Sequence, residues 1–150
     1  MVISEGCSIF VFMGRILAID FGLKRTGLAL TDPSNTIASP LETVDSQILM
    51  TRIKDLIASM NITTLVLGEP KNLDGSPTHV TANVHLLKEA LTKTFSEIPV
   101  VLVDERFTSA MALQSMIQAG STKKQRREKG AIDRVSAAII LQSYLDQIHR

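Results

Sequence analysis

Residues 15–31 have the sequence RILAIDFGLKRTGLALT, which decides the fold. The first part, Arg15–Phe21, is apolar with an acid near its end, a pattern typical of a buried strand. Gly22 permits a turn, and Thr26–Thr31 resumes an apolar, β-rich pattern, so the two parts together predict a hairpin. The acid that closes the first strand is Asp20, and it lies directly before the turn.

The rest of the chain continues as alternating strand and helix patterns. We predict a third strand that Pro40 breaks late, then two short apolar strands buried on both faces, with helices between and after them. The predicted strands are Thr36–Val44, Thr63–Gly68 and Val100–Val103, and the predicted helices run from Asp45 or Ser46 to Met60, Val80–Phe95, Ser109–Ala119 and Ala131–Ile148. The order β-β-β-α-β-α-β-α-α predicts an α/β domain with a mixed five-stranded sheet and helices on both faces.

The composition is that of a single globular domain. The chain has 150 residues, 45% of them hydrophobic and 21% charged, which excludes disordered and fibrous proteins. Cys7 is its one cysteine, so neither an internal disulfide framework nor a zinc site with several cysteines is expected. No apolar run in the sequence is long enough to span a membrane. We therefore expect a cytoplasmic protein in a reducing compartment, with no membrane partner.

The first residues, Met1–Phe12, fall outside the strand and helix pattern. The apolar stretch Ile9–Met13 has no Lys or Arg before it, which argues against a signal peptide. We predict that residues 13–150 form one domain and that residues 1–12 are an extension, or that Met13 is the natural start. An additional ordered strand in residues 1–12 is the alternative.

Acidic residues stand at the ends of the first and last predicted strands. Asp20 ends the first strand, and Asp104 and Glu105 follow the last one. Ligands of open α/β sheets bind at the carboxyl ends of parallel strands, and two carboxylates that meet there favour a hard cation such as Mg²⁺ or Mn²⁺. Asp20 is alternatively a simple turn residue. Only one of Asp104 and Glu105 can face the site, because neighbouring strand residues point to opposite faces.

A third acid, Asp133, lies in the first turn of the last predicted helix. It shares a helix face with Ala137, Ile140, Leu141 and Tyr144, which should pack on the sheet and turn Asp133 inward. Such an acid either completes a metal site or is stabilised by the positive end of the helix dipole, and the spacing leaves both interpretations open.

Basic residues cluster between Ser121 and Arg134. This segment carries six basic and two acidic residues, a net charge of +4 in a chain whose net charge is +1. Local positive charge beside acids suits a polyanion held near a metal site, although a solvated loop would have the same composition. The hairpin adds Lys24 and Arg25 between two glycines, where the chain can approach a phosphate closely.

Neither the histidines nor the aromatic residues indicate a site. The histidines share no metal-ligand spacing, and we interpret them as surface or incidental residues: His79, His85 and His149. With five Phe, one Tyr and no Trp there is no aromatic platform for stacking bases, which disfavours sequence-specific reading of single strands.

Four blocks of sequence together resemble one family. They are RILAIDFGLKRTGLALTD from Arg15, GEPKNLDGS from Gly68, DERFTS at Asp104–Ser109 and KGAIDRVSAAIILQ at Lys129–Gln142, in register from about Gly14 to Gln147. The chain resembles the YqgF/RuvX family, bacterial proteins with a ribonuclease H-like fold that are described as pre-16S rRNA nucleases and as Holliday junction resolvases. Glu69 departs from the family pattern, since such proteins more often carry Leu in a G-L-P loop.

The resemblance implies an acidic triad of Asp20, Glu105 and Asp133, which serves as both the catalytic and the metal-binding residues. It thereby favours Glu105 over Asp104, and we expect Mg²⁺ or Mn²⁺ as the cofactor. The expected reaction is metal-dependent hydrolysis of phosphodiester bonds. The residues expected to hold substrate phosphates are Lys24, Arg25, Arg106, Lys123, Lys124, Arg126, Arg127 and Lys129.

By resemblance alone, the expected substrate is the 5′ end of pre-16S rRNA during ribosome biogenesis, with ribosomal particles as further partners. The main alternative is a four-way DNA junction, whose two symmetric cuts need a homodimer. A non-catalytic nucleic-acid or transcription factor on the same fold is another alternative. Least favoured is an ATP-dependent kinase with a similar Asp-x-Gly hairpin, because such kinases close two such domains around the nucleotide. The sequence declares no dimer interface, so we expect a monomer or a weak homodimer.

Overall fold

The computed structural model describes residues 14–105, 108–126, 128 and 130–149. The strands in this part of the chain are β1 (Arg15–Asp20), β2 (Arg25–Thr31), β3 (Ala38–Asp45), β4 (Ile62–Glu69) and β5 (Val100–Asp104). They form one mixed sheet in the spatial order β3-β2-β1-β4-β5. Strands β1, β2 and β3 pair antiparallel along the chain, whereas β4 pairs parallel with both β1 and β5.

Helices cover both faces of the sheet. They are α1 (Leu49–Met60), α2 (Thr81–Thr94), α3 (Thr108–Gln118), α4 (Lys123–Arg126) and α5 (Ala131–Ile148), and a 3-10 turn at Ser46–Ile48 precedes α1. Helices α1 and α2 pack on one face, whereas α5 lies across the other face and α3 packs against α5. The mixed five-stranded sheet with helices on both faces is thus confirmed, and the element order differs from the predicted one by the short helix α4.

The two faces of the sheet have cores of different thickness. Towards α1 and α2, β1 contributes Leu17 and Ile19, which are buried among other large apolar side chains. Towards α5, the small residues Ala18 and Ala29 of β1 and β2 meet Ala137 of the helix. Small side chains on both partners let α5 approach the sheet closely. This close approach brings the first turn of α5 to the end of β1.

Two strand predictions were wrong in detail. We expected Val100–Val103 to be buried on both faces, but β5 is an edge strand, and of its apolar residues only Val103 is buried. Nor does Pro40 break the third strand, because β3 is the other edge strand and continues through it. An edge position tolerates the missing N–H, and the pairing with β2 shifts its register between Leu28 and Ala29.

The segment between α3 and α5 also differs from expectation. The sequence predicts no helix between Ala119 and Ala131, whereas the structure has the short helix α4 within this segment. Helix α3 ends before Gly120, as predicted. The extension predicted at residues 1–12 lies outside the described residues. In the part of the chain that the structure describes, no helix combines the length and the apolar character needed to cross a membrane.

Candidate active site

A row of three residues crosses the sheet where β1 ends. Asp20 pairs with Gly27 on β2, and on the other side the parallel register of Ile19 with Leu67 puts Gly68 next to Asp20. Paired residues of neighbouring strands point to the same face of a sheet, here the face covered by α5. Asp20 is therefore flanked by two residues that have no side chain.

The two glycines make room for other acids. A Cβ atom on Gly27 would overlap with the main-chain carbonyl of Asp133, in the first turn of α5. A Cβ atom on Gly68 would lie 2.9 Å from Glu105 Oε2, which is too close for a carbon atom. The missing side chains thus let Asp133 and Glu105 approach Asp20 from its two sides.

The alternation of β5 distinguishes Asp104 from Glu105. Val103 is buried under α5, so Asp104 points to the opposite face and Glu105 returns to the α5 side. Asp104 is exposed, whereas the main-chain N–H of Glu105 donates to the carbonyl of Glu69 at 3.2 Å. Of the two acids, Glu105 is the one that meets Asp20, which is the choice that the family resemblance implied.

Asp20 and Glu105 are joined by a hydrogen bond, and the pKa of each carboxyl is raised. Burial raises the pKa of Glu105 to about 9, and the charge of Asp20 and the hydrogen bond to it add to the rise. Burial also raises the pKa of Asp20 to about 6; the hydrogen bond with Glu105 opposes this rise, and the charge of Asp133 adds to it. At neutral pH the protonated Glu105 therefore donates to an ionised Asp20. A divalent cation stabilises such a pair, because its charge can replace the shared proton.

Asp133 stands beside this pair, but its carboxylate is turned to Arg25. Arg25 Nε lies 3.2 Å from Asp133 Oδ2, and both side chains are partly exposed. The start of α5 is tied to β3 by Thr43, whose Oγ1 donates to the carbonyl of Gly130 at 2.7 Å. Asp133 lies in the first turn of the helix, where the positive end of the helix dipole stabilises its charge. It is also close enough to Asp20 for its charge to raise the pKa of Asp20.

The chemistry of the three acids fits a hard divalent cation. All their donor atoms are carboxylate oxygens, the ligands that Mg²⁺ and Mn²⁺ prefer. Within the described ranges, no three His, Cys, Asp or Glu side chains converge closely enough to hold a metal ion together. At the triad, the Asp133 carboxylate is paired with Arg25. A cation at Asp20 and Glu105 would gain the third carboxylate once Asp133 turns away from Arg25.

The expected phosphate-binding residues fall into two groups. Lys24 is exposed and Arg25 half-buried at the start of β2, on the same edge of the sheet as the acids. Lys123 and Lys124 are exposed on α4, shortly before α5. The remaining candidates lie outside the residues or side chains that the structure describes: Arg106, Arg126, Arg127 and Lys129. Of the described candidates, Arg25 contacts an acid of the site, Asp133.

A second charged cluster, which the sequence analysis missed, lies at the end of β4 on the opposite face of the sheet. Glu69 Oε2 lies 2.6 Å from His85 Nε2, and Glu69 Oε1 lies 3.2 Å from Lys71 Nζ. Partial burial raises the pKa of Glu69, but the hydrogen bonds from His85 and Lys71 outweigh it and hold that pKa below its usual value. His85, expected to be a surface or incidental residue, is exposed as expected but has a carboxylate partner. The one sequence signal that could have indicated this cluster is the departure of Glu69 from the family pattern.

The family is decided by a match over most of the chain. Residues 14–147 match the family described as RuvX, Holliday junction resolvase. The chain belongs to the RuvX family. A relative from Flavobacterium johnsoniae is 44% identical over 133 residues, which cover 89% of this chain and 96% of the relative. Another from Porphyromonas gingivalis is 44% identical over 138 residues, covering 92% and 100% respectively, and both carry the provisional name pre-16S rRNA nuclease.

Among solved structures, a RuvC complex has a similar fold. The RuvC protein of Thermus thermophilus bound to a Holliday junction substrate matches with a TM-score of 0.56, covering 91% of this chain and 96% of that one. Its sequence is 13% identical, so the likeness concerns the fold alone. The ribonuclease H-like fold expected for a RuvX-family member is thereby confirmed.

Proposed function

We propose that this RuvX-family chain is a divalent-metal-dependent nuclease that hydrolyses phosphodiester bonds. The observation that carries the proposal is the contact between two half-buried carboxyls, Asp20 and Glu105, with a third acid, Asp133, beside them. The family description and the names of the relatives support the same reaction class. We assign metal binding and catalysis to these three residues, with Mg²⁺ or Mn²⁺ as the cofactor.

The protein's part in this reaction is to hold oxygen ligands at fixed positions. A bound Mg²⁺ or Mn²⁺ would supply a water of lowered pKa and stabilise the leaving oxygen. Asp20 lies between the other two acids, so we assign it the central place in the ligand set that would hold the cation. Glu105 approaches Asp20 over Gly68, the backbone of Asp133 packs over Gly27, and the Asp133 carboxylate would join the other two on turning away from Arg25.

Basic residues beside the acids would hold the substrate phosphates. Arg25, which pairs with Asp133 at 3.2 Å, and the exposed Lys24 lie at the hairpin. A phosphate oxygen that took over the Arg25 guanidinium would release the Asp133 carboxylate for metal binding. Lys123 and Lys124 would contact phosphates farther along the strand. Such contacts position a nucleic acid without reading its bases.

The substrate we propose first is the 5′ end of pre-16S rRNA, processed in the cytoplasm on ribosomal particles. The names of the 44%-identical relatives support it. The family description favours a four-way DNA junction as the second candidate. Two symmetric cuts would require a homodimer with two sites. A protein that only binds nucleic acid is disfavoured, because carboxylates without a bound cation would repel the phosphates of the nucleic acid.

The test is a side-by-side cleavage assay of the purified chain. The substrates are a 5′-extended pre-16S rRNA and a synthetic four-way DNA junction, each with Mg²⁺, with Mn²⁺ or with EDTA. Asp20→Asn serves as the inactive variant. Metal-dependent cutting of the rRNA alone supports the first substrate, and symmetric cuts in the junction support the second.

Two results would overturn parts of the proposal. Cleavage by Asp20→Asn at the wild-type rate excludes the assigned site, and cleavage in EDTA excludes a metal-dependent mechanism. Size-exclusion chromatography with light scattering adds a separate criterion for the substrate. A strict monomer, both free and bound to the junction, would exclude symmetric resolution by this chain.

A further inference from the structure

One buried hydroxyl in α5 has no hydrogen-bond partner. Among the residues that the structure describes, Ser136 Oγ is the buried side-chain oxygen or nitrogen left without a partner, and Ser136 is 1% exposed. Buried polar groups in proteins are almost always paired, because an unpaired hydroxyl loses its hydration without compensation. A serine at this position therefore calls for a function that an alanine would not serve.

The position of Ser136 on α5 places it next to the acidic site. It lies three residues after Asp133 and four before Ile140, so it neighbours both along the helix. A Cβ atom on Gly68 would lie 2.6 Å from Ile140 Cδ1 and 2.9 Å from Glu105 Oε2, so Ile140 and the Glu105 carboxyl occupy the same part of the sheet surface. Ser136 is one helical turn from that point, on the buried side of the helix.

Packing alone does not require the hydroxyl. The adjacent residue on the buried face, Ala137, is 0% exposed and fills its place with a methyl group. An alanine at position 136 would occupy nearly the same volume as serine and leave no polar atom unpaired. The Glu105 carboxyl is hydrogen-bonded to Asp20, and Ser136 Oγ has no partner.

We propose that Ser136 is a positioning residue of the metal site, whose hydroxyl donates to the Glu105 carboxylate when a divalent cation is bound. The inference rests on the nuclease function proposed above and extends it to a residue that is not a metal ligand. Groups that hydrogen-bond metal ligands fix their orientation and raise metal affinity. The hydroxyl would thus be unpaired in the metal-free protein and paired in the metal-bound one.

The test compares the wild type, Ser136→Ala and the control Ser143→Ala, which removes a hydroxyl elsewhere on the same helix. Mn²⁺ affinity is measured by calorimetry, and the Tm is measured in EDTA and across a Mn²⁺ titration. For Ser136→Ala we expect a Tm in EDTA at or above that of the wild type, together with about 10-fold weaker Mn²⁺ binding. Ser143→Ala should change neither quantity.

Three outcomes separate this inference from the proposed function. Equal Mn²⁺ affinity in the wild type and Ser136→Ala overturns the inference alone. A Tm that is lower by the same amount with and without Mn²⁺ shows a purely structural hydroxyl and also overturns it. If the wild type is not stabilised by Mn²⁺ and binds none, the metal-dependent function itself fails, and the role of Ser136 fails with it.

Discussion

At the scale of single residues, the site depends on two positions that have no side chain. Gly27 and Gly68 flank Asp20 in one row of the sheet, and each gives its space to a different acid. As a result, Asp20 and Glu105 lie close enough to share a proton, and Asp133 adds its charge. Carboxyls held in this way destabilise the metal-free fold when they ionise, which gives the site two measurable signatures.

The first signature concerns Asp20→Asn, which keeps the shape of the side chain and removes its charge. We expect cleavage to fall at least about 100-fold, because the carboxylate assigned to the centre of the metal site is lost. The Tm in EDTA should rise by a few degrees, since no ionised carboxyl is then buried beside Asp133. Initial rates and calorimetry in EDTA measure the two effects. Asp55→Asn, an exposed change on α1, is the control. A lower Tm in Asp20→Asn than in the wild type would show that the charge of Asp20 does not destabilise the fold.

The second signature is the pH dependence of the metal-free protein. Both pKa values are raised, from 3.8 to about 6 for Asp20 and from 4.5 to about 9 for Glu105, so the folded chain binds more protons than the unfolded one. This contribution to the free energy of unfolding is complete below about pH 4 and is lost as the pH rises through 6 towards 9. Urea unfolding in EDTA at pH 5, 7 and 9 measures it.

The matched control for this pH effect is Glu105→Gln. The glutamine side chain cannot ionise, so the loss of stability between pH 7 and 9 should be smaller in this variant than in the wild type. Saturating Mg²⁺ should reduce the loss in the wild type, because the cation compensates the charge of both carboxylates. An identical pH dependence for the two proteins in EDTA would show that Glu105 is not held protonated by its surroundings.

At the scale of elements, the site is formed where α5 crosses the ends of β2, β1 and β4. The helix lies close to the sheet because Ala18, Ala29 and Ala137 occupy the interface between them. Thr43 of the edge strand β3 fixes the start of the helix through the carbonyl of Gly130. The acids are therefore held by strand ends and a helix start rather than by a long loop, which keeps their separation well defined.

This arrangement predicts that alanine at Gly27 mainly lowers stability, whereas alanine at Gly68 mainly lowers the rate of cleavage. In Gly27→Ala the new Cβ would meet the backbone of α5, which cannot move without displacing the helix, so stability should fall by about 3 kcal/mol or more. In Gly68→Ala it would meet the ends of the Ile140 and Glu105 side chains, which can rotate. For Gly68→Ala we expect the free energy of unfolding to fall by about 1 kcal/mol. The rate of cleavage should fall about 10-fold, because the Glu105 carboxyl is displaced.

Urea unfolding and initial cleavage rates distinguish the two glycine variants. Ala58→Gly, at an exposed position of α1, controls for generic effects of exchanging glycine and alanine. Gly68→Ala with wild-type cleavage would show that the carboxyl of Glu105 does not need the space over this glycine. Gly27→Ala with wild-type stability would show that α5 can lift from β2 at little cost.

At the scale of the whole molecule, charge is distributed unevenly. The net charge is only +1, yet the segment from Ser121 to Arg134 carries +4, with Lys123 and Lys124 exposed on α4. The acids and the hairpin cations lie at one edge of the sheet, and the basic segment leads directly into α5. A nucleic acid bound there would release counterions locally, although the chain as a whole is nearly neutral.

Salt dependence measures this local contribution. Replacing Lys123 and Lys124 by Gln should weaken rRNA binding. The plot of log K against log salt concentration should become less steep, by about 0.7 for each phosphate that is no longer neutralised. Fluorescence anisotropy across a KCl titration is the measurement. Lys54→Gln with Lys93→Gln, exposed changes on α1 and α2, is the charge-matched control. Equal slopes in the two double variants would exclude α4 from the binding surface.

The order of elements could be predicted from the sequence because periodicity and turn residues act over short distances. Helix α5 was predicted with its observed bounds, Ala131–Ile148, and Asp133 was predicted on its sheet-facing side. Alternation along β5 allowed only one of Asp104 and Glu105 at the site, and the family resemblance favoured Glu105. The same local signals misjudged β5 as fully buried, because strand order, which makes it an edge, is not a local property.

What only the tertiary structure decided are pairings between residues distant in the chain. Arg25 and Asp133 are 108 positions apart, and Glu69 and His85 are 16 apart, so no periodicity could connect them. The unpaired hydroxyl of Ser136 likewise depends on what the sheet and the neighbouring helix leave beside it. The sequence by itself determined which residues stand at strand ends and on helix faces. The distances and protonation states of the acids followed from how closely α5 packs across the two glycines.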